Sequence, residues 1–166
     1  MTLDLFSRPL EAADQQTRAI RLRCIKAVFH TVTIREKAPP WVRARVHSSE
    51  AVFNLFGDLA QETKEHFVAL HLDSKNRILC YDLVSVGSMT ASIVHPREVY
   101  KSALLSSASG LVFLHNHPSG DPTPSREDLD ITKRLQEVGE LLGIRVLDHV
   151  IIGEGRYSSF ADRGLL

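Results

Sequence analysis

The chain has 166 residues, 43% of them hydrophobic and 24% charged, with 20 basic and 20 acidic side chains. That is the length of one domain, with enough apolar side chains to close a core without disulfides. A formal net charge of zero argues against a protein that holds DNA by bulk positive charge, and no stretch approaches the ~20 apolar residues of a membrane span.

The first residues, MTLDLFSRPLEAADQQ, show no charged-then-apolar signal pattern. Cys24 and Cys80 stand far apart and form no CxxC, so a reducing cytoplasm is the expected compartment. The zero charge conceals an asymmetry. Residues 1–47 carry nine basic and four acidic side chains, and 48–166 carry 11 basic and 16 acidic ones. The division predicts a basic N-terminal arm over 1–47 and one acidic domain over 48–166. Such an arm can dock on its own body, or touch nucleic acid or an acidic partner.

Within the arm, a short helix over 11–22 and then a strand are expected, ending at Pro39-Pro40, which blocks a helix. Ser48 or Ser49 then caps a helix whose apolar positions are Val52, Phe53, Leu55, Phe56 and Leu59. Residues 66–86 read as a hairpin turning at Asp73-Ser74-Lys75-Asn76, with Gly87 as its break. A loop through His95 leads to Pro96, the first-turn proline of a helix, PREVYKSALLSSA. Gly110 to His115 is a short apolar strand. A proline-rich loop runs from Asn116 to Pro124. Ser125 opens a long helix with Leu129, Thr132, Leu135, Val138, Leu141 and Leu142 on one face, ended by Gly143. Ile144 to Ile152 returns as a strand, and 157–160 adds a last short one. The order is that of an α/β or α+β domain, a mixed sheet with helices around it.

The chemistry is concentrated between His115 and Asp128. His115 and His117 are two apart at a strand end, so both imidazoles lie on one face and can reach one ion. Asp128 sits in the first turn of the next helix, and the intervening loop can return it to the strand end. Two nitrogens and one carboxylate leave a fourth position open, the pattern of a catalytic rather than a structural zinc. Zn²⁺ in such a site lowers the pKa of its water to ~7. Each element has a plainer reading: Ser125-x-x-Asp128 is also a helix cap, and a strand-end histidine pair can be polar surface. The combination His-x-His-Pro…Ser-x-x-Asp is what makes the signal specific.

This segment resembles the JAMM motif of the JAB/MPN metalloprotease superfamily. More narrowly, the chain resembles the RadC family, named as bacterial DNA repair proteins. The strings that carry the resemblance are HFVALHLDSKNRIL, SIVHPREVYKSALL, HNHPSGDPTPSREDLDITKRL, GIRVLDHVIIG and YSSFADRGLL, in unbroken order over about 48–166. The resemblance implies the JAB/MPN fold, which is similar to that of cytidine deaminases. It implies zinc on His115, His117 and Asp128. It implies that Ser125 hydrogen-bonds the developing oxyanion or orients the zinc water, and that an upstream glutamate is the general acid and base. Glu65 is the best match for that glutamate and Glu62 the fallback. Asp148 and His149 match a DH pair of the family and stand either behind the metal ligands or in the core. His95 is a structural or cleft-lining match. His30, His47, His66 and His71 have no supporting spacing and are expected at the surface or in strands.

Long RadC proteins carry an N-terminal helix-hairpin-helix region. Here the first glycine is Gly57, so no such glycine turn precedes the domain, and the chain reads as a short form. No HExxH, GxxxxGK[ST] or GxSxG occurs, which excludes a zincin, a P-loop NTPase and a nucleophile elbow. A zinc deaminase would need a PCxxC pair that Cys24 and Cys80 cannot supply. The expected function is a zinc-dependent peptidase or isopeptidase acting on a peptide or protein substrate. The alternative is a non-catalytic module that binds DNA or a repair protein around a structural or vestigial metal. Exposed sheet edges make a homodimer an expectation as well.

Overall fold

The computed structural model describes residues 44–87 and 94–166. The helix and strand expected in the arm, and Cys24, lie outside the described residues.

The described chain runs α1 (Ser49–Phe56), a 3-10 turn (Gly57–Gln61), β1 (Glu65–Leu72), β2 (Ile78–Gly87), α2 (Pro96–Leu105), β3 (Gly110–Asn116), α3 (Arg126–Leu142), β4 (Arg145–Ile152) and β5 (Tyr157–Ser159). The strands form one sheet in the order β2-β1-β3-β4-β5. β3 and β4 are parallel and every other neighbouring pair is antiparallel. This is the mixed α+β architecture that the element order implies.

β3 is buried along its whole length, because both faces of the sheet are covered. Successive side chains of a strand point to opposite faces, so β1 and β3 feed two cores. Phe67, Ala69, Leu111 and Phe113 meet Val99, Tyr100 and Ala103 of α2 and Ile131 and Leu135 of α3. Val68, Leu70, Val112 and Leu114 meet Val52 and Phe56 of α1. A continuous apolar run is what such a doubly covered strand needs.

Local chemistry sets the helix ends. Ser48 Oγ accepts from Ala51 N–H and caps α1. His95 Nδ1 accepts from Arg97 N–H ahead of Pro96, so His95 is the N-cap of α2. α2 stops at Leu105, three residues before its expected end. Ser107 takes φ 56°, and Ala108 N–H bonds back to Ala103 C=O, the closure typical of a left-handed helix end. Gly143 ends α3 at φ 70°.

α3 is rotated from the expected face. Its buried positions are Asp128, Ile131, Thr132, Leu135 and Gly139, whereas Leu141 is 85% exposed and Leu129 and Leu142 are also exposed. The i, i+3, i+4, i+7, i+11 series that faces the sheet keeps the expected Thr132 and Leu135 but adds an acid and a glycine, which an apolar count passes over. Gly139 belongs there because α2 comes close: a Cβ would lie 2.5 Å from Tyr100 Oη. Tyr100 O–H donates to Leu135 C=O nearby.

Candidate metal centre

Strand register and helix register together build the site. His115, in β3, pairs with Phe67 of β1 and faces α3; it is fully buried. His117 lies just beyond β3, but its N–H bonds Ile152 C=O and prolongs the pairing with β4. The two imidazoles therefore share a face. Asp128 arrives from the other side, in the first turn of α3, almost fully buried.

The polar atoms converge. His115 Nε2 and His117 Nε2 are 3.0 Å apart. Asp128 Oδ1 lies 3.2 Å from His115 Nε2, and Oδ2 lies 3.4 Å from His117 Nε2. His115, His117 and Asp128 are the one cluster among the described residues whose ligand atoms could hold a metal ion together.

The donor chemistry fits a cation. His117 Nδ1 lies 2.7 Å from Asp121 C=O, an atom that only accepts, so Nδ1 carries the proton and the neutral ring has a bare Nε2. That bare nitrogen faces a carboxylate. Burial alone would raise the pKa of Asp128, but the His115 and His117 rings beside it, with the Ser125 hydroxyl, hold it well below the ordinary range. The same Asp128 contact raises the pKa of His117.

Ser125 serves as cap and support at once. Its Oγ accepts from Asp128 N–H and donates to Asp128 Oδ2, 2.6 Å away, while Ser125 N–H also donates to Oδ2. The capping box fixes the carboxylate with its open side toward the histidines, so the cap and ligand readings of Ser-x-x-Asp coincide in one structure. With the hydroxyl hydrogen aimed at Oδ2, a substrate oxygen must compete with that carboxylate for it.

Glu65, the first residue of β1, lines an open cleft of about 890 Å³ with His117, Ser119, Ser125 and Asp128. Its negative charge is felt by His117. Glu62 points elsewhere, 4.0 Å from His66 Nε2, at a 56% exposed position.

Asn116 is a residue that sequence reasoning missed. It points away from the two histidines that flank it. Its Oδ1 accepts from His66 N–H, and its Nδ2 donates to Lys64 C=O and Glu62 C=O. It thus ties the start of β1, and with it Glu65, to the strand that carries the histidines. The available signal was its position between them: alternation along the strand turns it to the opposite face.

The DH pair divides. His149 is fully buried on the α3 side, its Nε2 2.8 Å from His115 Nδ1 and its Nδ1 2.6 Å from Thr132 Oγ1. Burial, then the nearby His115, push its pKa well below the ordinary value. Asp148 is engaged elsewhere: it accepts from His149 N–H, Ser159 Oγ–H and Ala161 N–H, which staples the C-terminal turn to β4. His71 is in a strand, as expected, but buried. Ser106 Oγ lies 2.8 Å from its Nδ1 and Cys80 Sγ 3.4 Å away, so its polar ring is accommodated there.

A family model described as the RadC-like JAB domain matches residues 46–165. A UPF0758 protein of Syntrophotalea carbinolica is 54% identical over 143 residues, 86% of this chain and 63% of that protein. A UPF0758 protein of Methanosarcina mazei is 48% identical over 143 residues, 86% of this chain and 62% of its own length. A third, from Geobacter sulfurreducens, is 54% identical over 123 residues, 74% of this chain and 54% of its own. The chain therefore spans less than two thirds of the length of these curated relatives.

Proposed function

This chain belongs to the RadC-like JAB domain family, and from that premise we propose that it is a zinc-dependent hydrolase of amide bonds in a peptide or isopeptide substrate. The observation that carries the reading is the convergence of two imidazole nitrogens and one ionised carboxylate at the wall of an open cleft that Glu65 also lines. His115, His117 and Asp128 would hold the ion. When bound, zinc supplies a Lewis acid and a water acidic enough to be deprotonated near neutral pH.

The chain's own residues supply the rest. Glu65 takes a proton from the attacking water and returns it to the departing amine, the task of a carboxylate placed beside the reacting centre. Ser125 keeps Asp128 in place and lines the cleft beside it. The cleft is open, as a peptide substrate would require.

The test begins with metal content. We expect about one zinc per chain in the wild type and its loss in His117→Ala, since three protein ligands are needed for a stable catalytic site. The zinc-loaded protein is then assayed against mixed peptide and isopeptide substrates. Glu65→Gln should retain zinc and lose about 10²–10⁴-fold in hydrolysis. Zinc-free wild type after reconstitution, or a Glu65→Gln protein as active as the wild type, would sink the reading.

A further inference from the structure

The polar atoms behind His115 form a chain that ends on a backbone carbonyl. Asp128 C=O lies 2.5 Å from Thr132 Oγ1, one helical turn on. Thr132 Oγ1 lies 2.6 Å from His149 Nδ1, and His149 Nε2 lies 2.8 Å from His115 Nδ1. His115 Nε2 then faces the proposed metal position.

A carbonyl only accepts, so the direction of every hydrogen bond follows from that end. Thr132 O–H donates to Asp128 C=O, the i to i−4 bond open to a helical threonine. The threonine oxygen must then accept, so His149 Nδ1 carries a proton. A neutral His149 has one ring proton, so its Nε2 is bare and accepts from His115 Nδ1–H. His115 Nε2 is left without a proton.

The reversed arrangement is penalised. A proton on His115 Nε2 would make its Nδ1 accept from His149 Nε2–H. His149 Nδ1 would accept from Thr132, and the threonine oxygen and Asp128 carbonyl would face each other at 2.5 Å with no hydrogen between them. Among the described residues the His149 ring nitrogens have no other hydrogen-bond partner. Phe67 and Phe113 meet its ring edge-on and Phe160 stacks on it.

We propose that Thr132 and His149 are positioning residues that lock His115 in the Nδ1–H tautomer, so that its Nε2 offers a lone pair to a divalent cation. The proposal rests on the metal reading above and adds residues to it. It also links two ligands. Asp128 contributes its carboxylate to the ion and its carbonyl to the relay that orients His115, so a displacement of α3 disturbs both. His117 is fixed separately, through Asp121 C=O.

Two measurements on the full chain test it. Imidazole ¹⁵N NMR on the metal-free wild type, at a pH where His115 is neutral, reads the tautomer directly, and His115 should be protonated at Nδ1. Zinc affinity by competition with a chromophoric chelator is then compared among wild type, Thr132→Val and Thr132→Ser. Thr132→Val keeps the shape and removes the acceptor for His149, so affinity should fall about 10–100-fold. Thr132→Ser keeps the hydroxyl and should recover most of it. An Nε2–H tautomer in the wild type overturns the proposal without recourse to any variant. Equal affinities for wild type and Thr132→Val overturn the relay and leave the metal centre standing. A wild type that takes up no zinc overturns both.

Discussion

Asn116 shows how one side chain can couple two halves of a site without entering it. It is fully buried, and its amide holds the backbone of residues 62–66 through three hydrogen bonds. The chain there passes from the 3-10 turn into β1, and these bonds, together with the Glu65–Gly87 pairing to β2, set where Glu65 starts. Asn116→Leu keeps the approximate volume, but leaves His66 N–H and two carbonyls without a partner. These groups are only part-buried, so each costs less than the about 1–3 kcal/mol of a fully buried orphan. The expected result is a protein that melts lower, keeps its zinc and loses hydrolysis through Glu65, which calorimetry and an activity assay would separate. An unchanged activity would mean that the start of β1 is held by other contacts. The clustering of His115, His117 and Asp128 was legible in the sequence because their spacing is local: two residues along a strand, then a loop closed by a cap. The contacts of Asn116 and of Thr132, a residue already placed on the inner face of its helix, were not, since each acts on groups that only tertiary pairing brings near.

At the scale of elements, two devices hold the candidate ligands. The first is the capping box of α3. Ser125→Ala removes an N-cap, which costs about 1 kcal/mol, and also removes the hydroxyl that fixes Asp128 Oδ2. Both stability and zinc affinity should therefore fall together, measured by denaturant melts and by chelator competition. A loss of stability with zinc affinity intact would reduce Ser125 to a plain cap. The second is the seam between the histidine loop and the end of β4. His117 N–H bonds Ile152 C=O, and Glu154 N–H bonds Gly120 C=O. A Cβ on Gly153 would collide with Gly120 C=O and lie 2.7 Å from Pro122 Cδ. Gly153→Ala should push this loop outward and loosen His117 more than it weakens the sheet; chelator competition would show it. Boundaries followed the sequence closely where a capping residue or proline marked them, as at Ser48, Pro96, Ser125 and Gly143. They failed where the signal was an average: α3 turns a mixed face to the sheet because Asp128 and Thr132 have polar partners inside. Counting leucines cannot reveal that.

The molecule as a whole buries histidines on the α2–α3 side of its sheet, and this sets its response to acid. His71 and His149 both titrate below the ordinary histidine value of 6.5, chiefly because burial disfavours the charged ring. Around His71 stand Ser102, Ser106 and Cys80, whose thiol burial pushes up, while the charge of Asp82 works in the opposite direction and raises His71. In the unfolded chain each ring titrates near 6.5. Between that value and the lower folded one, the unfolded state binds more protons, so stability is full above 6.5 and is lost as pH falls through it. His117 has the opposite sign: its folded pKa is raised, so its contribution is present below 6.5 and disappears as pH rises through the folded value. A single melt therefore mixes the two, and a difference between variants separates them. His71→Gln retains a hydrogen-bonding side chain that does not titrate. In metal-free protein, urea melts at about pH 7.5 and about pH 5.5 should show the wild type losing more stability than His71→Gln on acidification. Equal losses would mean that His71 binds its proton as readily in the fold as outside it, and that the serine hydroxyls around it accommodate the charged ring.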